Sequence, residues 1–179
     1  GPAVRLASAT SELLQHPRNP LRHTYLGRTV AANHELFARI HRRYPKPSFG
    51  IESIDRGGMR VPVREEVVAV RPFCHLLRLR AESDRPLPRL LIVAPLSGHF
   101  ATLLRDTVRT SLQDFEVYTT DWLDAKLVPL SEGAFHLDDY IDCVRDFVTL
   151  LGPGLHVMAV CQPAVPVLAA VSLLAEDRH

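Results

Sequence analysis

The chain has 179 residues, of which 46% are hydrophobic and 23% charged. That balance fits one folded domain of ordinary size and excludes a disordered chain. Lys and Arg total 21 against 20 Asp and Glu, a net charge of +1, so the total charge advertises neither a nucleic-acid partner nor an anionic membrane.

Residues 3–30 show no sustained period and several basic side chains, so irregular structure with short helical pieces is expected there. From Asn33 the pattern turns helical, with Leu36, Phe37, Ile40 and Tyr44 on one face, and Pro45 and Pro47 end it. This reads as a covering helix packed on the main body. After Gly57-Gly58 the period changes to that of strands. Val61 to Val70 and Phe73 to Leu79 form an antiparallel pair, and Leu90 to Val93 a strand buried on both faces. Phe100, Leu103, Leu104, Val108 and Leu112 follow at helical spacing. Phe115 to Tyr118 is a short strand that ends at Thr119-Thr120-Asp121-Trp122.

The next helix carries Leu137, Tyr140, Ile141, Val144, Phe147, Val148 and Leu151, with Asp138 and Asp139 suited to its first turn. Leu155 to Val160 reads as another buried strand and residues 163–175 as a last helix. The uncharged run Leu155 to Ala175 is long enough to cross a bilayer. His156, Gln162, Pro163, Pro166 and Ser172 within it favour a strand, a tight turn and a helix instead. The alternation predicts an α/β fold with a mostly parallel sheet and right-handed crossovers. The expected organisation is an N-terminal extension over residues 1–57 and half of a larger α/β domain over 58–179, with an unfinished sheet edge.

Cys74, Cys143 and Cys161 are too widely spaced for a disulfide framework or a CxxC metal site, and read as reduced thiols of a cytoplasmic chain. The nine histidines show no ligand spacing. No metal and no cofactor are expected. The strongest chemical signal is Val160-Cys161-Gln162-Pro163, a cysteine between a strand and a helix N-terminus. There the helix dipole and unpaired N–H groups favour a thiolate, and the Gln162 N–H suits a developing oxyanion. Such a strand–turn–helix site usually has glycine two residues before and after the nucleophile; here Ala159 and Pro163 stand there. A buried structural thiol remains the alternative at this point. The loop Ala94 to His99 follows the preceding buried strand and offers the N–H of Leu96 or Ser97 as a second oxyanion donor. His99 is a weaker candidate base, with a plain helix N-terminal residue as the other reading, and Asp121 reads as a structural cap sooner than as a loop-orienting carboxylate.

Four strings, together with Arg43-Tyr44-Pro45-Lys46-Pro47-Ser48-Phe49-Gly50-Ile51, resemble intracellular polyhydroxyalkanoate (poly-3-hydroxybutyrate) depolymerases. They are Ala94-Pro95-Leu96-Ser97-Gly98-His99-Phe100-Ala101-Thr102-Leu103-Leu104-Arg105, Thr120-Asp121-Trp122, Val128-Pro129-Leu130-Ser131-Glu132-Gly133 and Ala159-Val160-Cys161-Gln162-Pro163-Ala164-Val165-Pro166. The likeness runs from about residue 24 to residue 176. It implies an α/β-hydrolase-like fold and a cysteine hydrolase acting on amorphous polyester in intracellular storage granules. Cys161 matches the family's nucleophile. The family's aspartate and histidine come from later strands and loops, so the resemblance implies a chain that is the N-terminal half of the fold and inactive alone. The polymer or its oligomers would be the partner, with no nucleic acid. A second chain or C-terminal half would supply the Asp and His, and self-association into a homo-oligomer is left open. Three other readings remain: a polyhydroxyalkanoate synthase, disfavoured because that family flanks its cysteine with glycines; a non-catalytic granule-binding or interaction module; and one half of a two-chain hydrolase.

Overall fold

The computed structural model describes residues 1–41, 45–83, 86–96 and 100–177. The chain divides into two compact units, Gly1–Lys46 and Pro47–His179.

The first unit is a pair of helices, α1 (Pro2–Gln15) and α2 (Tyr25–Ile40), joined through a 3-10 turn at Pro20–His23. This corrects the expectation of irregular structure over residues 3–30. The two helices meet through small residues: Ala7 and Ser11 of α1, and Gly27, Ala31 and Ala38 of α2, are buried. Ser11 Oγ donates to the Ala31 carbonyl at 3.1 Å, and Gln15 Nε2 donates to Ser11 Oγ and Glu35. Gly27 has no substitute here, because a Cβ on it would lie 2.1 Å from the Leu21 carbonyl oxygen. Thr24 caps α2 by accepting from the Gly27 N–H at 3.1 Å. A seam of alanine, serine and glycine leaves no mark on a hydrophobic periodicity, which explains why the sequence pattern concealed α1 and the first half of α2, and showed only the part of α2 from Asn33 onward. Leu36, Phe37 and Ile40, expected on an inward face, are exposed; Tyr44 lies outside the described residues.

The second unit is a mixed α/β structure around one six-stranded sheet. Its strands are β1 (Ser53–Arg56), β2 (Met59–Val70), β3 (Cys74–Ala81), β4 (Arg89–Val93), β5 (Glu116–Trp122) and β6 (Leu155–Ala159). They lie in the order β1-β2-β3-β5-β4-β6. Gly57 and Gly58, both at positive φ, make the two-residue turn between β1 and β2. The β1–β2, β2–β3 and β3–β5 pairs are antiparallel; only β5–β4 and β4–β6 are parallel. The sheet is therefore mostly antiparallel, not mostly parallel as expected. Three strands ahead of β4 pair by hairpin or edge contact, and the crossover connections that parallel pairing needs begin only at β4.

A 3-10 turn (Ala101–Leu104) and α3 (Arg105–Ser111) connect β4 to β5; α4 (Leu137–Leu151) connects β5 to β6, and α5 (Ala164–Glu176) follows β6. Side chains alternate across the strands and build a core on each face. Leu90 and Ile92 join Leu77, Leu79 and Val117 under Val108 and Leu112, near the C-terminal end of the α3 segment. Leu91 and Val93 join Leu76, Tyr118 and Trp122 under Val144, Phe147 and Ala170 of α4 and α5. Asp139 of α4 accepts from the His136 N–H at 2.7 Å, closing the helix start. Arg89 of β4 donates to the carbonyls of Leu151 and Pro153, tying the end of α4 to the start of β4.

β6 differs from the buried strand expected of Leu155 to Val160. Among the described residues it pairs with β4 alone, and its residues alternate between half-buried and exposed. The covering helix α5 is apolar nearly all round, yet only Pro166 and Ala170 are buried, with Val165, Leu168, Val171 and Leu173 exposed. An apolar groove of about 890 Å³ runs between β6, α4 and α5. No helix among the described residues is long and apolar enough to cross a membrane.

This difference between a central and an edge strand is measurable. Leu91→Ala is expected to cost about 2–5 kcal/mol of stability, because its side chain is fully buried. Met158→Ala, on β6, is expected to cost less than about 1 kcal/mol. Chemical denaturation of the two variants checks both; equal losses would contradict the exposure of β6.

Candidate functional site

β4 and β6 lie side by side and run parallel, but the chain leaves them toward opposite faces of the sheet. The segment after β4 reaches the core under α3, and the segment after β6 enters α5 over the other core. Neighbouring parallel strands whose connections diverge in this way leave a crevice at their carboxyl ends, where open α/β sheets bind ligands. Leu96 stands on one side of that crevice and Cys161-Gln162 on the other.

Cys161 is exposed and has φ 67°, the one non-glycine among the described residues in the left-handed region. A side chain there costs about 1 kcal/mol. The turn is fixed on both sides. The Val160 N–H donates to the Val93 carbonyl at 3.4 Å, and the Ala164 N–H donates to the Cys161 carbonyl at 3.1 Å. Pro163 then caps the N-terminus of α5, where its missing N–H costs nothing. Together these bonds turn the Cys161 thiol outward from a sharp strand-to-helix bend.

The opposite wall is fastened through one residue, Ala94, by the two peptide groups that flank its Cα. Its N–H donates to Thr120 Oγ1 at 2.8 Å. Its carbonyl accepts from Trp122 Nε1 at 2.9 Å and from the Tyr140 hydroxyl at 3.3 Å. All three partners are buried, so these bonds exchange little with water. Trp122 and Tyr140 also meet edge to face, with centroids 4.5 Å apart. Two residues on, the Leu96 N–H donates to Gln162 Oε1 at 3.1 Å across the crevice. The backbone donor expected to hold an oxyanion thus points at the turn carrying Cys161, and a carbonyl oxygen already occupies it.

The structure thereby brings together Cys161, Gln162 and Leu96. Ser97 and His99, the other candidates of that loop, lie outside the described residues. Asp121 is buried near the end of β5, opposite His75 of β3. Cys74 and Cys143 are buried in the core beneath α4. Burial, and then the neighbouring Cys143 thiol, push the Cys74 thiol well above the usual range. Burial, followed by the proximity of both thiols, likewise pushes the Tyr140 hydroxyl up, so it stays a neutral donor to Ala94. Among the described residues no group of three or more His, Cys, Asp or Glu side chains is placed to hold a metal ion.

Known families, curated proteins and solved structures returned no match to this chain. Thr120, Trp122 and Tyr140 were not singled out as site residues in the sequence. Thr120 and Trp122 lie in one of the resembling strings, but their common target, Ala94 just past the end of β4 and 26 residues before Thr120, is invisible without the pairing of β4 with β5.

Two outcomes follow. One of the three thiols, Cys161, is expected to react rapidly with a thiol reagent in the native chain, and all three after denaturation; rapid reaction of two would contradict the burial of Cys74 and Cys143. Cys161→Gly is expected to be more stable than Cys161→Ala by about 1 kcal/mol, since only glycine relaxes at positive φ. Equal stability in thermal unfolding would remove the strain from the account.

Proposed function

We infer that the chain carries the nucleophile half of a cysteine-dependent ester hydrolase of the polyhydroxyalkanoate depolymerase kind, built as part of an α/β-hydrolase-like fold. The observation that carries this reading is the exposed Cys161 held at positive φ between a parallel strand and a helix N-terminus. The Leu96 N–H faces the same turn. That pairing of a strained nucleophile turn with a donor from the neighbouring strand's loop is the arrangement used for acyl transfer in that fold. The substrate class, a polyester of 3-hydroxyacids in intracellular granules, rests on the resemblance of the strings around Cys161.

In the reaction, the Cys161 thiolate attacks an ester carbonyl of the polymer. Gln162 Oε1 leaves the Leu96 N–H as the ester oxygen takes its place, and the Leu96 and Gln162 N–H groups hold the tetrahedral oxyanion. The intermediate collapses with loss of the chain alkoxide, which takes a proton, and Cys161 keeps the hydroxyacyl group as a thioester. Water then cleaves the thioester to a free hydroxyacid and restores the thiol. That last step needs a general base. The resemblance assigns the base and its carboxylate to strands and loops beyond β6, and the unpaired edge of β6 beside the exposed apolar surface of α5 is suited to receive them.

The same exposed surface favours a second reading, a module that holds the polymer or a companion chain without turning substrate over. Incubation with amorphous poly-3-hydroxybutyrate granules separates the two. The chain alone is expected to release 3-hydroxybutyrate at no sustained rate. Sustained release by wild type and not by Cys161→Ala would show a base within these residues and support the hydrolase. Equal release by both would sink the role of Cys161. Retention on granules by Cys161→Ala, with no acylation of wild type, would favour the module.

A further inference from the structure

The net charge of +1 conceals a segregation. Residues 1–46 hold eight Lys and Arg against two acidic residues, Glu12 and Glu35, a formal charge of +6; the remainder holds 13 basic and 18 acidic residues, a formal charge of −5. The basic residues belong to the same unit as the helical pair α1–α2, and that pair leaves bulky apolar side chains in solvent. On α2, Leu26, Val30, Phe37 and Ile40 recur at helical spacing on one stripe. Leu26 is 72% exposed and Ile40 59%. Gly27, Ala31 and Ala38, on a different face, make the contact with α1, and the stripe takes no part in it. On α1, Leu6 and Leu13, two turns apart, are exposed at 71% and 67%. Arg28 and Arg39 project from the other flank of α2, about 180° from the stripe by the 100° advance per residue. Each helix is thus amphipathic twice over, with one face of small residues for its partner helix and one stripe of large, exposed residues; at the end of the α2 stripe the His41 ring packs against Phe37 with centroids 4.2 Å apart.

We propose that the α1–α2 unit is an interaction surface for anionic lipid, with the Leu26, Phe37 and Ile40 stripe and Leu6 and Leu13 entering the acyl boundary while the unit's excess of arginines, carried on its polar faces, attracts the anionic headgroups over the screening length. Large aliphatic and aromatic side chains on one stripe, basic residues on the remaining surface and almost no acidic ones are the combination by which helices lie in a lipid interface. Each basic residue near an anionic surface strengthens binding about fivefold. A nucleic acid would satisfy the +6 charge and leave the leucines in water, whereas a lipid surface satisfies both. The proposal stands apart from the chemistry at Cys161.

The test is sedimentation of the full chain with vesicles of phosphatidylcholine containing one-third phosphatidylglycerol, against phosphatidylcholine alone. Binding is expected only with the anionic vesicles. It should fall steeply as salt rises from 0.1 M to 1 M, where the screening length shrinks from about 10 Å to about 3 Å. The Leu26→Glu/Ile40→Glu double variant should bind more than about tenfold more weakly. Arg22→Glu/Arg28→Glu should lose at least as much while keeping the apolar stripe. All four side chains are exposed, and an unchanged helical circular dichroism spectrum verifies that the variants fold. Several results would overturn the proposal: no binding to either vesicle, equal binding to both, or unchanged binding by the charge-reversed variant. Concentration-dependent dimers lost in Leu26→Glu/Ile40→Glu without vesicle binding would overturn it too, and would assign the stripe to a second copy.

Discussion

The parallel seat of β4 between β5 and β6 is the constraint on which the second unit depends. Parallel neighbours cannot be joined by tight turns, so seating β4 there forces two crossovers. The first carries α3 toward one face, and the second carries α4 over the other. The loops that follow β4 and β6 are consequently neighbours that depart in opposite directions, and the crevice between them is a product of the topology. Everything chemical in this account stands at that crevice. Arg89, at the beginning of β4, binds the carbonyls that end α4, while Ala94, just past its end, is held by β5 and α4. The strand is thus anchored at both ends by the elements it organises.

The two walls of the crevice are made rigid by different means. On the Cys161 side the chain adopts a conformation disfavoured for any residue with a Cβ, and hydrogen bonds from Val160 and Ala164 hold it there. On the Leu96 side no strain is involved; three buried donors and acceptors fix both backbone groups of Ala94, and the amide two residues on inherits its position. The Gln162 side chain spans the gap. Because its amide oxygen accepts the bond that an ester oxygen would accept, the resting site satisfies its own donor without water and releases it by one side-chain rotation.

Much of the second unit was legible from its residues, and the failures have common physical origins. The helix of α4 was plain because its apolar residues recur every three to four positions over 15 residues, and the strand–turn–helix at 155–176 because a polar turn interrupts an apolar run. The β1 strand was missed: four residues with one buried side chain, Ile54, carry too little pattern. Sheet direction was misjudged because pairing partners are set by tertiary contact; nothing in β3 alone says that it will lie antiparallel to β5. The burial of β6 was overestimated because an apolar strand reads the same whether or not a neighbour covers its second edge. Cys161 and Leu96 were singled out by chemistry and topology together, and the structure places both at the crevice. The fastening of Ala94 by Thr120, Trp122 and Tyr140 was hidden, since it joins residues far apart in sequence.

The central claim is that Cys161 is an acyl acceptor facing the Leu96 amide. The most direct measurement is the mass of the native chain, and of its peptides, after brief exposure to an activated ester such as p-nitrophenyl 3-hydroxybutyrate. The account predicts one hydroxybutyryl group, carried as a thioester on the peptide containing Cys161, that forms more slowly when Leu96 is replaced by proline and its N–H is lost. Acylation at another residue, or none on a chain whose Cys161 still alkylates freely, would contradict it.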